Sequence, residues 1–192
     1  MTSTHSDRHA PVARVCLLGH SGAGKSTTAA FIRATASRRS MSCAVVKVAA
    51  PLYELQQAFY TRLGQPLPDG QQDQQLLEAL AHWIRKRHTR FLVDDFLTRA
   101  ATVEADVLVN DDVRSYDTDY PILREHGWTA VRITTDDDLR GKRLATQGYV
   151  SLSDASTAGV DTVDVDYEIR NDGTLAELET TVAALVEEIL PC

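Results

Sequence analysis

The residues best suited to chemistry stand near the start of the chain. Gly19-His20-Ser21-Gly22-Ala23-Gly24-Lys25-Ser26-Thr27 contains Gly-x-x-x-x-Gly-Lys-Ser in full. That spacing describes a cradle for a polyanion. Glycines let the backbone bend so that successive N–H groups converge on a small volume. A helix opening at the end of the motif aims its positive end at the same point. Gly19, Ser21, Gly22, Ala23, Gly24, Lys25, Ser26 and Thr27 are therefore candidates for holding the phosphates of a nucleotide. Lys25 supplies a point charge for the outer phosphates, and the Ser26 hydroxyl is a candidate Mg²⁺ ligand. The motif specifies phosphate binding and leaves the reaction open.

Two further groups can manage phosphate charge. Asp111-Asp112-Val113-Arg114 follows an apolar run. A carboxylate there can orient Mg²⁺ or an acceptor, and Asp112 is the candidate for metal and catalysis, with Asp111 beside it as the open alternative. Arg114 offers a planar fork of donors to an acceptor phosphate. In Asp136-Asp137-Asp138-Leu139-Arg140-Gly141-Lys142-Arg143, Arg140 and Arg143 stand three apart and share one helical face. They open a long polar segment, about 136–160, with the composition of a lid. A lid carrying arginines excludes water and stabilises developing charge.

These groups need a scaffold. Val12–Leu18 is a short apolar run suited to a strand buried on both faces. Further strands are expected at 42–48, 106–110, 128–134 and 167–170. Helices are expected from Thr28 to Ser37, from Pro51 through Leu52, Leu55, Phe59 and Leu63, over 71–88, over 89–103, and through Ile122 and Leu123 to Gly127. In the last helix, Thr174 and Glu177 form a capping-box pair ahead of Leu175, Leu178, Val182, Leu185 and Ile189. Strands alternating with helices predict an α/β fold: a five-stranded parallel sheet with helices on both faces. Ligands of such sheets bind at the carboxyl ends of the strands, and the candidate groups fall there or in the lid.

The 192 residues carry 20 Lys+Arg against 27 Asp+Glu, a net charge of −7, which argues against gripping a nucleic-acid backbone. No apolar run is long enough to span a membrane. Residues 1–11 are polar and read as a disordered leader before one domain over 12–192. Cys16, Cys43 and Cys192 show neither CxxC nor zinc-ligand spacing. Cys16 and Cys43 are expected as buried free thiols, and the cytoplasm is the default compartment.

Across roughly Val12–Leu190 the chain resembles the deoxynucleoside monophosphate kinases of the P-loop kinase superfamily and, more distantly, the animal-type phosphomevalonate kinases. The resemblance rests on G-H-S-G-A-G-K-S-T, A-A-P-L-Y-E-L, D-Q-Q-L-L-E-A-L with W-I-R nearby, N-D-D-V-R, the R-x-x-R lid start, and D-Y-E-I-R-N-D-G-T-L-A-E-L. It implies a P-loop kinase fold and ATP-dependent transfer of the γ-phosphoryl group, with Mg²⁺, to a nucleoside monophosphate. It places Asp112 and Arg114 at the acceptor phosphate and metal. Pro51 and Leu52 would lie in the acceptor pocket, and Arg85 at the acceptor phosphate. Arg140 and Arg143 would serve in the lid, and Asn171, Asp172 and Gly173 would lie near the ATP base. Kinases of this type are often dimers, so a homodimer is one implied state. The chain departs from the pattern at Ala50, where an acidic residue is usual before Pro-Leu, and at Ala81-His82, where a glycine is usual.

Smaller signals stay open. Lys47 closes the second strand, as an acceptor contact or a solvated strand end. Tyr53 and Trp83 stand at helical spacing, which favours core packing over base stacking. Tyr149 is undecided within the lid, and His20 has no expected chemical role. A kinase of a non-nucleotide phosphate such as phosphomevalonate and a P-loop regulatory ATPase or switch are the competing functions. The chain lacks the N-K-x-D-type base motif of GTP readers.

Overall fold

In the computed structural model, which describes residues 11–146 and 159–190, five strands form one parallel sheet. β1 (Ala13–Leu18), β2 (Cys43–Val45), β3 (Val107–Asn110), β4 (Thr129–Thr134) and β5 (Tyr167–Arg170) lie in the order β2-β3-β1-β4-β5. Chain order and sheet order diverge on either side of β1, the switch point at which such sheets open a crevice.

Strict alternation along the strands builds two cores. Val15 and Leu17 of β1, Val107 and Val109 of β3, and Val131 and Ile133 of β4 pack toward α1 (Lys25–Arg38) and α7 (Leu175–Ile189). Cys16, Leu18, Leu108 and Ala130 pack on the opposite face. That face is covered by α2 (Ala50–Arg62), α3 (Gln74–Arg87), α4 (Phe91–Ala100) and α5 (Asp119–Glu125). Trp128 and Phe96 meet there with ring centroids 5.1 Å apart. α6 (Asp137–Ala145) follows β4, and a 3₁₀ turn at Val160–Thr162 precedes β5.

The elements appear where the sequence expects them, with instructive shifts. The second strand, expected to run to Val48, ends at Val45. Val46 N–H still donates to Val109 O at 2.8 Å, and from there side chains replace the ladder: Asn110 Nδ2 donates to Val46 O at 2.8 Å, and the Asp112 carboxylate takes the N–H groups of Val48 and Ala49. α3 starts at Gln74 rather than Gln71 because Asp73 caps it, accepting from Leu76 N at 3.1 Å. Its buried stripe runs through Gln74 and Leu77 with Ile84 packed behind, so Trp83 falls outside it and is 57% exposed, against the expectation of a core residue. In α2 only Leu52 of the expected apolar stripe is buried; Leu55, Phe59 and Leu63 are exposed.

Cys16 is buried and free, whereas Cys43, expected to be buried, is half-buried. No helix among the described residues is long and apolar enough to cross a membrane. The expected leader up to residue 10, lid residues 147–158 with Tyr149, and Cys192 lie outside the described residues.

Candidate active site

Four strand ends supply the site. Gly19–Gly24 link β1 to α1, and the loop closes on itself through Ala23 N–H to His20 O at 3.1 Å. Gly24 has φ +106°, and a Cβ there would collide with the Asn171 amide. Asn171, just after β5, sends Nδ2 to Ala23 O at 2.8 Å, so the end of β5 braces the loop from below. Gly22, at φ +81°, allows Leu144 and Arg140 of α6 to rest against the loop.

α1 begins at Lys25, so Lys25 and Ser26 sit in its first turn, where backbone N–H groups lack helical partners. Lys25 is buried and folds back onto the loop, donating to Gly19 O at 2.7 Å and His20 O at 2.9 Å. Burial, with the nearby Arg114 charge, pushes its ammonium down to about 7. Lys25, Lys47, Arg114 and Arg143 outnumber Asp111 and Asp112 in the lining over the loop, a balance that suits an anion.

Ser26 Oγ donates to Asp111 Oδ2 at 2.8 Å, and the other Asp111 oxygen is paired with Lys47 Nζ. An alcohol and a carboxylate side by side at the mouth of a phosphate loop suit Mg²⁺. That ion takes one or two protein oxygens and completes its shell with water and phosphate. Among the described residues no group of three or more His, Cys, Asp or Glu forms a separate metal cage.

Asp112, which the sequence favours as the metal carboxylate, borders the same cavity but is held by other donors. It is buried and accepts from Val48 N–H at 2.8 Å, Ala49 N–H at 3.1 Å, Asn110 Nδ2 at 2.7 Å and Tyr53 O–H at 3.4 Å. Burial pushes its carboxyl up from the ordinary range. The carboxylate against Ser26 is Asp111.

A cavity of about 330 Å³ lies over the loop, lined by Gly22, Gly24, Lys25, Ser26, Lys47, Asp111, Arg143 and Asn171. A second cavity of about 60 Å³ is walled by Val48, Ala49, Leu52, Leu77, Ala81 and Leu92, with Glu78 and Arg85. Tyr53, Asp112 and Arg114 line both. A surface groove shares Glu78, Ala81, Arg85 and Arg114 with the second cavity.

A family model described as an AAA domain matches residues 13–104. No curated protein matches the chain. The chain is similar to a gluconokinase from Sinorhizobium meliloti 1021, at 17% identity over 95% of each chain with a TM-score of 0.55. The Mycobacterium tuberculosis APS kinase CysC in complex with AMPPNP and APS aligns at 16% identity over 93% of this chain and 99% of that chain, TM-score 0.52. Shikimate kinase from Acinetobacter baumannii in complex with shikimate aligns at 14% over 92% and 94%, TM-score 0.51. The fold is that of the P-loop kinases.

On this P-loop kinase fold, the expected site residues separate into groups. Ser21, Gly22, Gly24, Lys25, Ser26, Thr27, Lys47, Arg114, Arg143 and Asn171 line the main cavity. Gly19 and Ala23 shape the loop beneath it. Leu52 and Arg85 line the second cavity, whereas Pro51 sits in the first turn of α2 and does not line it. Arg85 is held by Asp119, Nη2 to Oδ2 at 2.6 Å, so its fork is already partly committed. Arg143 lines the main cavity while donating to Thr135 Oγ1 and Asn171 O, both at 3.0 Å. Arg140 packs outside that lining, with Nε 3.2 Å from Asp137 Oδ1. Gly173 serves α7: a Cβ there would strike the Glu177 carboxylate of the capping box. His20 Nε2 lies 3.0 Å from Asp161 Oδ2.

Sequence reasoning missed Asn110 and Thr135 as supports of the site, and Asp119 as the partner of Arg85. Asn110 stands between an apolar strand and two acids, a signal that a polar side chain is buried there; Asp119 carries no sequence signal.

Proposed function

We propose that the protein is an ATP-dependent kinase that transfers the γ-phosphoryl group to a nucleoside monophosphate, deoxy- or modified, giving the diphosphate. The observation that carries this reading is the shared wall. Tyr53, Asp112 and Arg114 line both the phosphate-loop cavity and the second cavity, so the two lie side by side against these three residues. A donor and an acceptor bound on either side would meet at Arg114. The names of the structural neighbours, kinases of gluconate, shikimate and APS, support transfer to a small molecule.

A phosphate acceptor brings its own anionic nucleophile and needs no general base. That suits a shared wall whose carboxylate already accepts from two backbone N–H groups and an amide. Catalysis then rests on positioning and on preorganised positive charge. Lys25 and Arg143 hold the donor phosphates, and Arg114 spans donor and acceptor. Arg85 steadies the acceptor phosphate from α3, and Arg140 supports the loop through Gly22. Ser26 and Asp111 would hold Mg²⁺, which when bound neutralises the outer phosphates. No covalent enzyme intermediate is required. Asn171 at the loop and the Asn171–Gly173 turn would border the ATP base.

A compact non-nucleotide phosphate such as phosphomevalonate is a second reading. It is favoured by the small, mainly apolar second cavity of about 60 Å³. Release of ADP from ATP and Mg²⁺, measured across ribo- and deoxynucleoside monophosphates and phosphomevalonate, separates the two. One nucleotide acceptor should give a burst that Lys25→Ala abolishes while circular dichroism stays unchanged. Slow hydrolysis indifferent to every acceptor would instead favour a regulatory ATPase.

A further inference from the structure

The carboxylate best placed for a metal already carries a cation of the protein's own. Asp111 is nearly fully buried, and its two oxygens are divided between Ser26 Oγ and Lys47 Nζ. A buried carboxylate with no compensating charge is strongly disfavoured, and here Lys47 supplies that charge.

The main chain around Lys47 is fixed on both sides. Arg99 Nη2 donates to Lys47 O at 2.8 Å, and Arg99 is itself tied to Asp95. Asn110 holds Val46 O, and Asp112 holds Val48 N–H. Motion is thus left to the Lys47 side chain, which is 36% exposed and lines the same cavity as Gly24, Lys25 and Ser26.

We propose that Lys47 is a placeholder for the metal: it neutralises Asp111 in the nucleotide-free protein, yields that carboxylate when a metal–nucleotide complex binds, and then turns its ammonium toward the phosphates in the same cavity. The inference rests on reading that cavity as a nucleotide site. Its logic is competition for one carboxylate. Lys25, Arg114 and Lys47 already crowd this mouth with positive charge. A divalent cation arriving alone would have to expel Lys47 and join that crowd with nothing gained in return. A cation arriving with a polyanion brings the counter-charge that Lys47 can move to. Metal and nucleotide should therefore bind cooperatively, and the metal alone only weakly.

The test measures binding, not turnover. ADP affinity is determined by calorimetry in EDTA and in saturating Mg²⁺ for the wild type, Lys47→Met and Lys47→Arg. With Lys47 removed, the metal no longer needs the nucleotide's counter-charge to displace a resident cation, so the gain in ADP affinity given by Mg²⁺ should be about tenfold smaller in Lys47→Met than in the wild type. Lys47→Arg, which restores the pair, should keep the wild-type gain. Mg²⁺ without nucleotide should raise the melting temperature of Lys47→Met but not of the wild type. An equal or larger gain in Lys47→Met, with ADP still bound, overturns the placeholder and leaves the kinase reading standing. No ADP binding by the wild type overturns both.

Discussion

Truncating Asp112 should cost the protein its fold stability, and truncating Asp111 should cost it its metal. Asp112→Ala removes the acceptor for three N–H donors: Val48 N–H, Ala49 N–H and Asn110 Nδ2, at 2.8, 3.1 and 2.7 Å. An orphaned buried donor costs about 1–3 kcal/mol. Ala49 is only partly buried and can recruit water, and removing a carboxyl disfavoured by burial returns part of the loss. At the low end, about 1 kcal/mol per donor gives about 3 kcal/mol in all. For a chain of this size each kcal/mol moves the melting temperature by about 2–4 °C, so a drop of about 6–12 °C is expected.

Asp111→Ala instead frees Ser26 Oγ and Lys47 Nζ, groups near enough to solvent to be rehydrated, and should lower stability by less than about 1 kcal/mol. Its loss should appear in calorimetry as ADP binding that no longer responds to Mg²⁺. Scanning calorimetry of both variants, with ADP titrations in Mg²⁺ and in EDTA, reads the two effects separately. If Asp112→Ala melts within about 2 °C of the wild type and loses the Mg²⁺ response, the division of labour between the two carboxylates is wrong.

Three other outcomes are expected. Lys25 sheds its proton at about 7 in the ligand-free fold and at 10.5 in an ordinary setting. Between those values the unfolded chain binds more protons, so ligand-free stability should rise with pH across the window, and Lys25→Met should flatten the rise. Nucleotide phosphates favour the protonated form, so ADP binding at mildly alkaline pH should take up protons, seen as a heat that depends on buffer ionisation enthalpy. Arg143→Ala, which empties a position on the cavity wall, should lower kcat by about 10²–10³, whereas Arg140→Ala should cost less because Arg140 packs behind Gly22; steady-state kinetics on both compares them. Thr174→Ala breaks the capping box and should destabilise by about 1 kcal/mol, a melting shift of about 2–4 °C, with turnover at low temperature unchanged.

How much of this is legible in the residues depends on distance along the chain. The phosphate loop, the capping box of α7 and the Gly127 stop of α5 are consecutive or nearly so, and their geometry follows from local backbone preference. The strand–helix alternation predicts the parallel sheet, but not its order, because crossover partners such as Val15 and Val109 lie far apart along the chain. The Arg85–Asp119 pair is also remote and has no pattern to mark it. Trp83 escapes for a subtler reason: on α3 the row Leu76, Leu80 and Trp83 runs beside the row Gln74, Leu77 and Ile84, and only the packing partners choose between them.

The choice between Asp111 and Asp112 belongs to a middle class, because period-two alternation contains the answer once one face is known. Val107 and Val109 point toward α1, and Leu108 points toward α2–α5. Continuing the same parity past the end of β3 sends Asn110 and Asp112 to the α2–α5 side and Asp111 to the α1 side. Ser26 lies in the first turn of α1, so the odd-numbered carboxylate is the one that can reach it, and the 2.8 Å contact follows. The even-numbered one is delivered to the backbone of Val48 and Ala49, where it closes the gap left by a strand that stops at Val45. Two adjacent acids that look redundant in the sequence are thus directed to different work by the pleat of the strand before them. Exchanging either with its neighbour's partner would require a one-residue slip that turns the whole of β3 inside out.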